Sequence, residues 1–241
     1  MRYYPPTGEN KSKESQVATM FDAIAPRYDI LNRVLSIGLD RVWRNAAIRR
    51  LGNQKGGRIL DVATGTGDIA LAALKLEPKE IIGIDIADAM LQVARKKAIR
   101  KSPQERVSFV QGSAEQLPFR TDSFDAAIVA FGVRNFANLH AGLCSIKQVL
   151  KPGAPFVVLE FSQPTLWPIK AFYKAYSRWI LPNIGRIFSG VDGPYKYLPD
   201  SIEVFPNGQN FLMRLEQCGF NQTRVEPLTF GIVSLYTGYA T

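Results

Sequence analysis

One stretch, residues 58–68, constrains the fold more than any other: Arg-Ile-Leu-Asp-Val-Ala-Thr-Gly-Thr-Gly-Asp. Ile59-Leu60-Asp61-Val62-Ala63 is an apolar run of strand length, and it passes directly into Thr64-Gly65-Thr66-Gly67. Ile69-Ala70-Leu71-Ala72-Ala73-Leu74 then reads as the apolar face of a helix. Strand, glycine turn and helix in that order form a nucleotide-binding βα unit. Glycine lets the backbone approach a ligand where a Cβ would collide. The first turn of the helix leaves amide N–H groups free to bind it.

The rest of the chain fits around this unit. Glu80–Asp85, Val107–Val110, Phe124–Phe131 and Phe156–Phe161 are short apolar runs that predict four more strands. Asp88–Arg100 and Leu139–Leu150 carry helical periodicity between them, the second stopped by Lys151-Pro152-Gly153. Gln209–Cys218 predicts a helix capped by Gly219, and Asn221–Leu228 with Ile232–Tyr239 predicts a closing hairpin around Gly231. Strands alternating with helices and then a hairpin imply a doubly wound, mostly parallel sheet of seven strands with one antiparallel edge.

We read residues 1–241 as a single domain with two additions to this frame. Residues 1–51 form an N-terminal arm and helical cap. Residues 1–13 are polar, Ser15–Ile24 is helical and ended by Pro26, and residues 29–51 are helical pieces broken near Gly38. Residues 164–206 form an insertion rich in aromatics and prolines, with Trp167, Tyr173, Tyr176, Trp179, Tyr195 and Tyr197 among them.

Charge and cysteine usage bound the partners. The 30 Lys and Arg against 21 Asp and Glu give a net charge of +9, which suits an anionic partner, either nucleic acid or an anionic membrane surface. Arg41, Arg44, Arg49 and Arg50 are expected to make a basic surface around Trp43. Cys144 and Cys218 fall in helix-like segments without metal-ligand spacing, so buried reduced thiols and no metal are expected. No run approaches the length of a membrane-spanning helix and no apolar signal region opens the chain, so a cytoplasmic protein is expected.

Gly65-x-Gly67-x-x-Ala70, with Asp85 downstream, fits a relaxed dinucleotide fingerprint. Three features redirect it. Asp61 ends the first strand before the glycines, where a carboxylate can meet a cationic amine. Asp85 ends the second strand, where it can accept both ribose hydroxyls. Ser113-Ala114 ends the third, beside the expected adenine position. An acid, a glycine turn, a second acid and a small polar pair fit one ribose, one adenine and an amino-acid end, which is S-adenosyl-methionine.

These and other motifs resemble the quinone C-methyltransferases of menaquinone and ubiquinone biosynthesis over nearly the whole chain. The resemblance is carried by Met20-Phe21-Asp22-x-Ile24-Ala25-x-x-Tyr28-Asp29, Asp61-Val62-Ala63-Thr64-Gly65-Thr66-Gly67-Asp68 and Asp85-Ile86-x-x-x-Met90-Leu91. It continues through Ala114-Glu115-x-Leu117-Pro118-Phe119, Phe131-Gly132-Val133-Arg134-Asn135, Leu159-Glu160-Phe161-Ser162 and Tyr197-Leu198-Pro199-x-Ser201-Ile202. Leu228-Thr229-x-Gly231-Ile232 completes it. The resemblance implies a class I, Rossmann-like methyltransferase fold and cofactor contacts at Thr66, Asp85 and Ser113-Ala114. Ala130 stands where some members carry a polar cofactor ligand, so only backbone contact is expected there.

Carried over, the activity is methylation of a ring carbon of demethylmenaquinol, or of the benzoquinol precursor of ubiquinone. Arg134 matches an arginine thought to act on a water or hydroxyl near the ring. A guanidinium stays protonated near neutral pH, so stabilisation of the developing oxyanion is expected of it rather than proton abstraction. His140, the only histidine, opens a helix beyond the motif and is a poorer base candidate; Glu160, Tyr195 and Tyr197 are read either as pocket groups or as structural ones.

The isoprenoid tail of such a substrate lives in a bilayer. A basic surface with Trp43, Trp167 and Trp179 is therefore expected to make weak peripheral contact with anionic lipid, at the inner face of the cytoplasmic membrane. Nucleic acid is not expected, since no appended nucleic-acid module is evident; a homodimer is left open. The competing readings are an RNA or other aromatic methyltransferase, a nicotinamide oxidoreductase using the Gly65–Gly67 turn, and a non-catalytic lipid-surface protein.

Overall fold

A computed structural model describes residues 12–101, 106–164, 166–175 and 194–241. Its first strand, β1 (Arg58–Val62), lies in the middle of a seven-stranded sheet of order β3-β2-β1-β4-β5-β7-β6. The others are β2 (Glu80–Asp85), β3 (Val107–Gln111), β4 (Ala126–Ala130), β5 (Pro155–Phe161), β6 (Phe220–Leu228) and β7 (Val233–Ala240). β1 to β5 are mutually parallel, and β7 runs antiparallel between β5 and β6. The expected doubly wound sheet with an antiparallel edge is therefore present.

The central strands are buried on both faces, which is why they read as unbroken apolar runs. Leu60 and Val62 of β1, with Ala127 and Val129 of β4, face one core. Ile59, with Ala126 and Ile128, faces the other. The first core is closed by α6 (Leu139–Val149) and α9 (Gln209–Gln217), through Leu143, Ile146, Phe211 and Leu215. The second is closed by α3 (Leu39–Arg50) and α4 (Asp68–Ala73), through Trp43, Ile48, Ile69 and Ala73.

The N-terminal cap consists of α1 (Lys13–Ile24), a 3₁₀ turn at Ala25–Arg27 holding Pro26, α2 (Tyr28–Leu35) and α3. The Ser12 hydroxyl caps α1 by accepting from the Ser15 amide at 3.2 Å. The break before α3 falls at Ile37 and Gly38, both at positive φ. α1 packs on α5 (Asp88–Lys101), burying Ile24 and Ala25 against Ala87 and Met90. Of the insertion, α7 (Ile169–Ala175) and α8 (Pro194–Val204) are described; Tyr176, Trp179 and the side chain of Tyr195 lie outside the described residues.

Two expectations fail. Cys144 and Cys218 are joined as a disulfide across 74 residues. The sequence showed two cysteines in separate segments; the fold lays the end of α9 against α6. Trp43 is not on the surface but 4% exposed, its Nε1 donating to Thr229 Oγ1 at 2.7 Å. The basic surface around it is correspondingly reduced. Arg44 is taken up by Asp40 and Asp68, and Arg50 by Glu226, while Arg41 and Arg49 remain exposed.

Phe109 on β3 sets how closely the glycine turn and β2 approach. A Cβ on Gly67 would stand 2.8 Å from Phe109 Cζ and 3.0 Å from Ala94 Cβ, at a φ of +77°. One on Gly83 would stand 2.7 Å from Phe109 Cδ1 and 2.8 Å from Thr64 Oγ1. Overpacking of this kind costs about 1–3 kcal/mol. G83A is expected to lose stability in that range and G67A at least as much, because of its backbone strain. Urea unfolding measures both, and an unchanged midpoint in G83A would show that the Phe109 ring swings aside freely.

Candidate active site

Neighbouring strands β1 and β4 feed crossovers in opposite directions, which opens a crevice at their carboxyl ends. The glycine turn lies in that crevice. Its shape comes from hydrogen bonds behind it. Asp61 Oδ2 accepts from Thr64 Oγ1 at 2.6 Å and from the Ala70 amide at 3.0 Å, tying the strand end to the first turn of α4. Asp85 Oδ2 accepts from the Gly65 amide at 2.8 Å, and Oδ1 from the Ala87 amide at 2.9 Å. Burial pushes the Asp61 carboxyl up to about 7, against the opposing pull of its Thr64 and Ala70 hydrogen bonds. Burial also raises Asp85, against the backbone amides that bond it.

A cavity opens on the outer side of the turn. Gly65, Asp85, Ser113 and Ala114 all line it, so four of the six expected cofactor residues meet there. Met90 and Ile86 give it apolar surface, and Ala130 lies on its wall. Asp61 and Thr66 do not line it. Asp61 is 1% exposed and braces the turn from within. Thr66 is equally buried, and its hydroxyl donates to Asp29 Oδ1 at 2.5 Å. The expectation was an Asp61 carboxylate meeting a cationic amine and a cofactor contact at Thr66; here the Asp61 carboxylate bonds the turn and α4, and the Thr66 hydroxyl bonds Asp29 of the cap.

A second, larger and mainly apolar cavity of about 430 Å³ adjoins the first. Phe21, Tyr28 and Phe131 line both and form the boundary between them. Arg134 and Tyr197 line the second cavity. Arg134 Nη1 donates to Glu160 Oε1 and to the Phe131 carbonyl, each at 2.6 Å, and Nε donates to Ser201 Oγ at 3.3 Å. Glu160 is wholly buried at the end of β5 and is the structural partner of Arg134. Its other oxygen receives the Arg134 amide at 3.3 Å. The Arg134 Nη2 has no hydrogen-bond partner among the described residues. Burial raises the Tyr28 and Tyr197 phenols, so both stay protonated donors.

Sequence reasoning left Phe21 and Tyr28 without a role, although both belong to the first motif of the resemblance. It also missed the network that docks the cap. Lys97 Nζ bonds Asp29 Oδ2 at 2.8 Å and Thr66 Oγ1 at 3.1 Å, and pairs with Asp68. Arg44 joins Asp68 at 2.6 Å to Asp40 at 3.1 Å. Glu115, on the cavity wall, accepts from the Ala137 and Asn138 amides at 2.6 and 2.9 Å and fixes the loop before α6. His140 lines neither cavity, packing instead against the two cysteines.

Sheet order, glycine turn and crevice define the class I, Rossmann-like methyltransferase fold. The crystal structure of a SAM-dependent methyltransferase from Aquifex aeolicus matches it with a TM-score of 0.60 at 16% identity, over 82% of this chain and 89% of that one. The model of the ubiE/COQ5 methyltransferase family matches residues 9–240, and the chain belongs to that family. A ubiquinone/menaquinone biosynthesis C-methyltransferase of Syntrophotalea carbinolica is 49% identical, over 91% of this chain and 92% of its own length. A demethylmenaquinone methyltransferase of Bacteroides fragilis is 42% identical, over 96% and 95%.

The Asp61 environment predicts a pH signature in the ligand-free protein. An aspartate near 4 when unfolded and about 7 when folded holds a proton in the native state that the unfolded chain has released. Its contribution therefore becomes less favourable as pH rises from about 4 to about 7, and is constant above that. D61N keeps an oxygen acceptor for Thr64 and Ala70 without the ionisation. The stability of D61N relative to the parent should climb across that window by a few kcal/mol, as measured by denaturant unfolding at fixed pH values. Parallel profiles for the two proteins would remove the burial argument.

Proposed function

We propose that this chain is an S-adenosyl-methionine-dependent enzyme that methylates a ring carbon of demethylmenaquinol to give menaquinol. The observation that carries this reading is the pair of adjoining cavities with a shared aromatic boundary and a buried guanidinium beyond it. Gly65, Asp85, Ser113 and Ala114 would hold the cofactor: Asp85 for the ribose hydroxyls, the Gly65 backbone for close approach, and Ser113-Ala114 beside the adenine. The donor set fits, because it combines an acceptor carboxylate, a Cβ-free turn and an apolar slot lined by Met90 and Ile86. When bound, S-adenosyl-methionine supplies an electrophilic methyl on a sulfonium that becomes a neutral thioether on transfer.

The remaining work falls to the chain's own residues. Phe21, Tyr28 and Phe131 line both chambers. With both occupied they would keep water from the boundary and hold the two ligands in a fixed mutual orientation. Ring faces also favour the cationic sulfur. On the quinol side, a hydroxyl proton is released to solvent, which leaves an oxyanion and makes the adjacent ring carbon nucleophilic; after methyl transfer the hydrogen on that carbon moves to the ring oxygen and restores the aromatic quinol. The Arg134 guanidinium stabilises that oxyanion while Glu160, Ser201 and the Phe131 carbonyl fix its orientation. The demethylmenaquinone methyltransferase name of the 42% identical relative supports the naphthoquinol ring. The relative at 49% identity bears a name that spans ubiquinone as well, which keeps benzoquinol as the second substrate to try.

The long tail of either quinol needs an exit to lipid. No helix among the described residues is long and apolar enough to cross a membrane. Exposed aliphatics instead gather on the cap: Ile30 at 63%, Ile37 at 86% and Val42 at 59%, with Val34 and Leu39. Ile37 and Leu39 also line the large cavity, and Arg41 lies exposed beside them. Of the two described tryptophans, Trp167 is 83% exposed and available to a surface, while Trp43 is buried. An apolar rim at a cavity mouth, on a chain of net charge +9, suits shallow docking on anionic lipid.

Three measurements test the proposal. Purified protein with labelled S-adenosyl-methionine and demethylmenaquinol should yield labelled menaquinol, with the benzoquinol analogue run beside it; absence of product with either would defeat the activity. R134K, which keeps charge but loses the fork, should lower kcat by about 10²-fold with cofactor affinity unchanged. Full activity in R134K would release Arg134 from the chemistry. Sedimentation with anionic vesicles at low salt should show binding that fades as salt rises and is lost in an I30S/I37S/V42S variant. Equal binding by that variant would move the lipid surface elsewhere.

A further inference from the structure

The chain has one histidine and two cysteines, and all three meet at a single place. His140 and Cys144 lie one turn apart on the same face of α6. Cys218 arrives from the end of α9, 74 residues beyond Cys144 in sequence. The His140 Nδ1 stands 3.3 Å from Cys218 Sγ, and its two ring nitrogens stand 3.8 and 3.7 Å from Cys144 Sγ. The three ligand atoms lie within 4.8 Å of one another. A tetrahedral zinc site with Zn–S of about 2.3 Å and Zn–N of about 2.0–2.1 Å separates sulfur from nitrogen by about 3.6 Å. The observed spacing brackets that value. A disulfide has no use for an imidazole against both sulfurs, and the methyl-transfer site makes no use of this histidine.

We propose that, with the Cys144–Cys218 disulfide reduced, His140, Cys144 and Cys218 bind one zinc ion. A dithiol reductant gives two electrons and two protons to the protein disulfide and leaves as its own disulfide. Zinc then displaces the two thiol protons and takes two thiolates and a neutral imidazole as ligands. Two thiolates and an imidazole are a soft donor set that selects zinc over magnesium or calcium. His140 is exposed, so the fourth position faces solvent and takes a water. Oxidation withdraws both thiolates into the S–S bond and releases the metal. One cluster thus fastens α6 to the end of α9 in either redox state, by a covalent bond or by a metal. The loop leading into α6, Asn135 to Ala137, is a wall of the cofactor cavity, so the fastening bears on the site's rigidity.

The full-length protein is treated with a phosphine reductant, freed of it, and titrated with zinc against a chromogenic chelator. Cobalt(II) in parallel reports thiolate ligation through its charge-transfer absorption. Reduced parent is expected to bind one equivalent with tetrahedral cobalt bands, and oxidised parent none. H140A changes only an exposed side chain, so it stays folded; it should bind at least tenfold more weakly, and C144S and C218S should lose stoichiometric binding. Folding of each variant is checked by circular dichroism. The proposal is overturned if reduced parent binds no more metal than a C144S/C218S double variant. It is equally overturned if oxidised parent binds as well as reduced, since the thiolates would then not be ligands.

Discussion

The opposed crossovers from β1 and β4 are the constraint on which the rest of this molecule depends. Two hydrogen-bonded parallel strands send the chain to opposite faces of the sheet, so their carboxyl ends part. Everything functional is assembled in or over that gap. The glycine turn follows β1, Asp85 ends β2, Phe131 and Arg134 follow β4, and Glu160 lies near the end of β5. Side chains from four strand ends can converge there without strain on the strands themselves. The buried Arg134–Glu160 pair is one product of this convergence. Its net worth is small as a pair, but breaking it would leave a buried charge, which costs about 3–5 kcal/mol.

Much of this frame was legible from the sequence because buried parallel strands must be apolar and short. β1, β2, β4 and β5 fall where the apolar runs lie, within a residue or two at their ends. The glycine turn was legible for the same kind of reason: Gly67 has no steric alternative beneath Phe109. What sequence could not supply was direction. Asp61 and Thr66 occupy the predicted positions, yet the Asp61 side chain braces the turn and the Thr66 hydroxyl bonds Asp29 of the cap, and neither lines the cavity. Trp43 sits among arginines in sequence, but helical geometry turns it onto Phe131 and Phe161, with ring centroids 6.2 and 6.4 Å away. Pairings across long separations were illegible altogether. Nothing local relates Asp29 to Thr66 and Lys97, Arg134 to Ser201, or Cys144 to Cys218.

Within the cap, α2 depends on that long-range polar network, whereas α1 and α3 are also held by buried apolar packing. α2 buries a single residue, Leu31, while much of its apolar surface faces outward. The Asp29, Thr66, Lys97, Asp68, Arg44 and Asp40 chain ties the cap to the glycine turn and to α5. Partly buried and multiply bonded, these groups gain more than isolated surface pairs would. The same arrangement leaves the aliphatic outer face of the cap unburdened by internal packing.

The shared boundary of Phe21, Tyr28 and Phe131 has a thermodynamic consequence. Three rings that belong to both chambers cannot be settled by one occupant without altering what the other meets. The free energy of filling one chamber therefore depends on whether its neighbour is filled, and by linkage the dependence is equal in both directions. An occupant of either chamber thus shifts the affinity of the other chamber, and receives the same factor in return.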